Sequence, residues 1–161
     1  MQEVASVEAL RAQIHHAFDN VELPTRLEQM RLARYTGDDS YEMAAALLGK
    51  GWVELPIKTL FYHRESLATL SATAFRAYLP AYLLACLESD DPLDTYGADL
   101  RAYLLGALGT WPHQSDPERA GETSERLSLL DAKQHEAVTS VLRYLENRWQ
   151  MANAGVLLRS W

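Results

Sequence analysis

Histidines, one cysteine, a Gly-Lys-Gly turn and clustered carboxylates are the groups in this chain with the chemistry to act on a substrate or hold an ion. His63-Arg64-Glu65 is the most compact acid–base group. A histidine and a glutamate two residues apart can flank a bound molecule and pass a proton between them. A pocket using them would draw on Trp52 for a wall and on Arg76 to hold an anion. The remaining histidines are His15, His16, His113 and His135. Adjacent His15 and His16 point about 100° apart on a helix, so they cannot converge on one metal from neighbouring turns. Cys86 falls on an apolar stripe, where a cysteine behaves as a small hydrophobe and not as a nucleophile. Gly49-Lys50-Gly51 lacks the rest of a phosphate-binding loop and reads as a helix stop. His-Glu-x-x-His, paired Cys-x-x-Cys and dinucleotide fingerprints are missing from the sequence. No catalytic residue, metal or cofactor is therefore expected.

The carboxylates carry a different implication. No lysine or arginine lies between Arg76 and Arg101, while Glu88, Asp90, Asp91, Asp94 and Asp99 all fall in that interval. Such a run reads either as a solvated loop and helix start or as a patch that steers a basic partner. The apolar tail ending in Trp161 must dock on the core or on another protein. A net charge of −7, from 22 acids against 15 basic residues, disfavours nucleic acid, whose phosphates demand a basic patch. These features predict a protein-binding module with a basic partner, such as an immunity-type or accessory protein of a toxin or secretion locus. The alternatives are a small-molecule-binding protein or enzyme using the Trp52, His63, Glu65 and Arg76 pocket, and a homodimer held by the aromatic stripe.

The elements that would position these groups are helical. Ser6 caps a first helix reaching Phe18, with Val7, Leu10, Ile14, Ala17 and Phe18 on one face. Thr25 to Ala33 shows a poor pattern, and Thr36 to Ser40 reads as a turn before a helix over 41–48. Pro56 opens a short helix with Ile57, Leu60 and Phe61 inward. From Ser71 to Glu88 the set Phe75, Tyr78, Leu79, Tyr82, Leu83, Cys86 and Leu87 repeats with helical period. Pro80 inside it removes a backbone donor and predicts a kink or two abutting pieces. Leu93 to Tyr96 reads as a loop, Asp99 to Leu108 as a helix closed by Gly109, and Thr110 to Ser124 as the longest loop. Asp131 and Gln134 form a capping box for a last strong helix reaching Trp149. No segment alternates with period two. The expected fold is all-α, a compact irregular bundle of about five to seven helices around a proline-interrupted central one.

Composition agrees with a single domain over residues 1–161. The chain is 48% hydrophobic and 23% charged, so it can bury a core without disulfide or metal. One cysteine cannot pair internally, which fits a reducing cytoplasm. Met1-Gln2-Glu3-Val4 carries an acid where a secretory signal would be basic. The apolar stretch from Ala77 to Leu87 is shorter than the roughly 20 residues that cross a bilayer, so no membrane association is expected.

Two blocks resemble a known family. Gly49-Lys50-Gly51-Trp52-Val53-Glu54-Leu55-Pro56 is followed by Leu70-Ser71 and Ala74-Phe75-Arg76-Ala77-Tyr78-Leu79-Pro80-Ala81-Tyr82-Leu83. Together with Gln134, Ala137, Val138, Leu142, Tyr144 and Leu145 in the block from Leu127 to Leu145, this is similar to domain-of-unknown-function family 6714, small bacterial proteins. Ala77 stands where that family usually has tyrosine, and Val141 where it often has phenylalanine. The resemblance implies a helical fold and brings no catalytic assignment.

Overall fold

In a computed structural model, which describes residues 5–88, 95–110 and 116–161, one helix organises the others. Along the chain α1 spans Val7–Phe18, α2 Asp38–Leu47, α3 Ile57–Tyr62, α4 Ala72–Cys86 and α5 Thr95–Leu105. Then come α6 over Pro117–Ser128, α7 over Ala132–Trp149 and α8 over Ala152–Ser160. Short 3-10 turns cover Leu27–Gln29, Trp52–Glu54 and Arg64–Thr69, and a wide π turn covers Gly106–Thr110. The described residues contain no β-strand, and seven of these α-helices have nine residues or more. Among the described residues no helix is long and apolar enough to cross a membrane.

Helix α4 is the central one. Of its 15 residues, 12 are buried, and only Thr73, Arg76 and Leu84 are not. The aromatic and leucine stripe read from the sequence is all buried, and so are Ala74, Ala77, Ala81 and Ala85 on the other side. A helix apolar all round must be covered on all sides, and α1, α3, α5 and α6 pack on it. The alanines let neighbouring backbones come close. Pro80 stands inside this single helix and does not divide it into two pieces. The missing donor and the ring cost about 3 kcal/mol in a helix interior. Burial of Phe75, Tyr78, Leu79, Tyr82 and Leu83 at about 1.5–3 kcal/mol each outweighs that.

Caps and joints place the rest around α4. Ser6 accepts the Ala9 amide at 3.2 Å, and Ser71 accepts the Ala74 amide at 3.2 Å. The Ser71 hydroxyl also donates to the Gln29 carbonyl, and the Ser71 amide to Met30 at 2.9 Å. With the Leu32 amide on Thr69 at 3.0 Å, this pins the segment after α1 to the start of α4. Asp131 accepts the Gln134 amide at 2.9 Å, completing the expected capping box. The Gln134 side chain does more than cap. Its Nε2 donates to the Ala17 carbonyl at 3.2 Å, and its Oε1 accepts Arg76 Nε at 2.9 Å. One buried amide so joins α1, α4 and α7.

Four expectations need correction. Helix α2 begins at Asp38, inside the expected turn, with Gly37 as its N-cap. Helix α5 already begins at Thr95, where a loop was expected, and gives way to the π turn after Leu105. Helix α6 occupies most of the expected long loop: Asp116 caps it, accepting the Glu118 amide at 3.0 Å, and Pro117 sits in its first turn. It carries no apolar stripe because charged groups hold it. Arg126 is buried, donates to the carbonyls of Ala68 and Ala107, and lies over the Phe75 ring; Arg34 pairs with Glu122. Finally, Ile57 is exposed instead of inward.

Tyr78 and Tyr82 provide a matched test. Tyr78 donates to the Leu47 carbonyl at 2.8 Å, whereas the buried Tyr82 hydroxyl has no hydrogen-bond partner among the described residues. Tyr78→Phe removes one of two hydrogen bonds to the Leu47 carbonyl, which keeps the Lys50 amide at 3.1 Å, and is expected to cost about 1 kcal/mol. Tyr82→Phe removes a desolvated, unpaired hydroxyl and is expected to be neutral or stabilising by about 1 kcal/mol. Urea denaturation of both variants checks this, and equal losses would contradict the packing described.

Candidate functional site

The residues expected to form a catalytic pocket do not converge. Arg76 is committed to Gln134 and lies 3.8 Å from Asp131, beside a small polar cavity of about 150 Å³ that His16 and Lys133 also line. Trp52 lines a different cavity, of about 390 Å³. Neither His63 nor Glu65 borders either one. Of the acidic run, Glu88 pairs with Arg11 at 3.1 Å and Asp99 with Arg64 at 3.3 Å. Asp90, Asp91 and Asp94 lie outside the described residues. Trp161 is half-buried against the core, with its ring 4.3 Å from that of His135. The tail therefore docks on the chain itself, as α8 against α7.

The structure instead brings together Glu65 from one predicted set and Asp99 from the other, through Arg64. Helix α3 ends at Tyr62, and the following 3-10 turn swings Arg64 toward the start of α5. Arg64 donates to the Phe61 carbonyl at 2.7 Å, bridges to Asp99, and lies 5.9 Å from the centre of the Tyr96 ring. Glu65 stands 4.0 Å from Arg64 and accepts the Tyr103 hydroxyl; burial first, then that carboxylate, pushes the Tyr103 phenol up. Tyr62 meets His63 edge-on at 4.8 Å. Burial lowers the His63 pKa, outweighing Glu42 and Asp39 on α2, which act to raise it. This end of α3 is thus a set of tyrosines interleaved with carboxylates.

Along the flank of α3 runs the open 390 Å³ groove. Trp52, Leu55, Leu60 and Leu84 form its apolar wall, and Ala81 and Ala85 of α4 leave the space it occupies. His15 tilts against Trp52 at 4.9 Å, and Glu88 stands at the rim. Exposure is high in this lining: Val53 is 65% exposed and Ile57 36%. Scattered single residues of that kind need no explanation, whereas exposed apolar residues that border an open apolar groove mark a candidate interaction surface. The sequence did hold a signal for them. Ile57, Leu60, Phe61 and Tyr62 cannot all face inward from a six-residue helix.

Elsewhere the polar groups with unusual surroundings are structural. Arg101 is buried with its guanidinium 4.0 Å from the centre of the Trp149 ring. Burial lowers the pKa of Arg126. Among the described residues, no group of three or more His, Cys, Asp or Glu side chains is placed to hold a metal ion.

The sequence model of a family of unknown function, DUF6714, matches residues 6–159. No curated protein matches the chain, and no solved structure does.

Cys86 gives the site assignment a sharp check. Burial pushes its thiol up to about 12, against an opposing effect of Arg101, so it stays protonated near neutrality. Alkylation at pH 8 is expected to proceed only as fast as the chain unfolds and to become rapid in urea. Prompt labelling of the native protein would show a reactive thiol instead of a core residue.

Proposed function

The chain belongs to the DUF6714 family of unknown function, and on that premise we propose that it is a protein-binding module whose docking face is α3 and the groove beside it. The observation that carries this reading is the open apolar groove with the exposed Val53 and Ile57 in its lining. Interfaces are enriched in tyrosine and gather apolar residues at their centre. The carboxylates around that face, together with the net charge of −7, favour a basic partner through complementarity that also speeds encounter. The finer role we infer is an immunity-type or accessory protein of a toxin or secretion locus, working in the bacterial cytoplasm. What supports it is a small acidic chain with an adhesive face and, among the described residues, no convergence of the groups expected to form a catalytic pocket.

Affinity capture from the native host, with wild-type chain and with Val53→Lys/Ile57→Lys, tests the reading. A basic polypeptide is expected to accompany the wild type in near-stoichiometric amount and to be lost with the double variant. Both changed residues are exposed, so the variant should keep its helical content and unfolding midpoint. Val156→Lys, at an exposed apolar position on α8, serves as the control that retains the partner. Recovery of the wild type only as a free monomer would overturn the proposal.

A further inference from the structure

We propose that α6 is a releasable strap: it lifts off α4 as a unit while the rest of the fold stays closed, and the ion pair between Arg34 and Glu122 sets how often. Each of the other described α-helices buries at least one apolar residue. Of the 12 residues of α6 only Arg126 is buried, and it is charged. Leu127 beside it is partly buried against the core. Apolar burial, the main force that docks a helix, is therefore weakest here.

What holds α6 is polar. Arg34, from the segment before α2, grips Glu122 with its guanidinium fork: Nε donates to Oε1, and Nη2 donates to Oε2 at 2.8 Å. Glu118 stands 3.7 Å from the same Nε. The Glu122 side chain is 12% exposed and that of Arg34 28%, so solvent screens the pair only in part until α6 lifts. Further along, Arg126 donates to the Ala68 and Ala107 carbonyls and lies over the Phe75 ring. Its Nε is unpaired among the described residues. A buried cation held by neutral groups regains hydration when it is exposed, and burial accordingly lowers the Arg126 pKa. Hydration of Arg126 thus offsets part of what α6 loses on leaving. Release uncovers Phe75 near the start of α4. Cys86, about three turns further along α4 and beside Arg101 of α5, stays enclosed. None of these groups lines the groove beside α3, so the strap and the docking face stand or fall separately.

Native-state hydrogen exchange, read residue by residue by NMR, tests the strap. Amides from Ala120 to Ser128 are expected to exchange together, at least about a hundredfold faster than the slowest amides of α4 and α7. Lifting exposes little apolar surface, so their rates should barely respond to low urea, whereas those of α4 and α7 should climb. Glu122→Gln should speed α6 exchange about tenfold and leave the slowest amides of α4 and α7 unchanged. Raising salt from about 0.05 to 0.5 M should speed it about threefold in the wild type and less in the variant. Cys86 should stay unlabelled by iodoacetamide throughout. Protection of α6 equal to that of α7, with the same urea slope, would overturn the inference, because α6 would then leave only with global unfolding. So would protection that decays steadily from one end of α6, which is fraying, or exchange indifferent to both Glu122→Gln and salt. A Glu122→Gln chain that also loses protection in α4 and α7 would make α6 part of the core and overturn it equally.

Discussion

Burial of α4 on every side is the constraint from which the rest of this structure follows. A helix with leucine, tyrosine and phenylalanine on one face and alanines on the other offers water little polar surface beyond Thr73 and Arg76, so its neighbours must enclose it. Enclosure explains why a chain with only short connecting elements still forms one core. It also explains how Pro80 is tolerated. An exposed helix would lose its marginal stability to an internal proline, whereas here the ring is itself buried and packed. The helix persists because tertiary burial, and not local propensity, holds it.

Enclosing α4 with elements that are themselves partly polar requires joints of another kind. Helix α6 has almost no apolar face, yet it lies against α4 because Arg126 reaches carbonyls on two separate segments and shields its charge over Phe75. Gln134 plays the corresponding part between α1, α4 and α7, with both ends of its amide in use. Buried polar groups of this sort are costly unless satisfied, and they then favour one arrangement over its competitors. The Tyr82 hydroxyl and Arg126 Nε, unpaired among the described residues, mark where satisfaction is incomplete. Such residual cost is small beside the apolar surface that the same residues bury.

What could be read from the sequence divides along this line. Periodicity reveals elements held by apolar stripes, and so α1, α4 and α7 were legible with their caps Ser6, Ser71 and Asp131. It cannot reveal α6, whose anchor is an arginine, although Asp116-Pro117 is a start signal that outweighs the polar composition after it. Nor could spacing show that Arg76 would be consumed by Gln134, fifty-eight positions away, and so be unavailable to His63. Pairings across such distances depend on packing that local patterns do not encode. Asp99 and Glu65 were singled out for separate reasons, and only the turn after α3 brings them onto one arginine.

The candidate site follows from the same central helix. Ala81 and Ala85 lie one turn apart on α4, and their short side chains let the helix sit deep while leaving a trough between Trp52 and Leu84. Helix α3 is too short to roof that trough; its six residues bury Leu60 and leave Ile57 outside. Apolar surface then remains uncovered beside α3. Larger residues at 81 and 85 would have closed the gap and improved core packing, at the expense of a cavity that contributes nothing to stability. A gap flanked by exposed Val53 and Ile57 is costly to an isolated chain in water, and covering it by a second molecule removes that cost. The physical economy of α4 thus leads from an enclosed core to an unfinished edge, and that edge is where a partner gains most by binding.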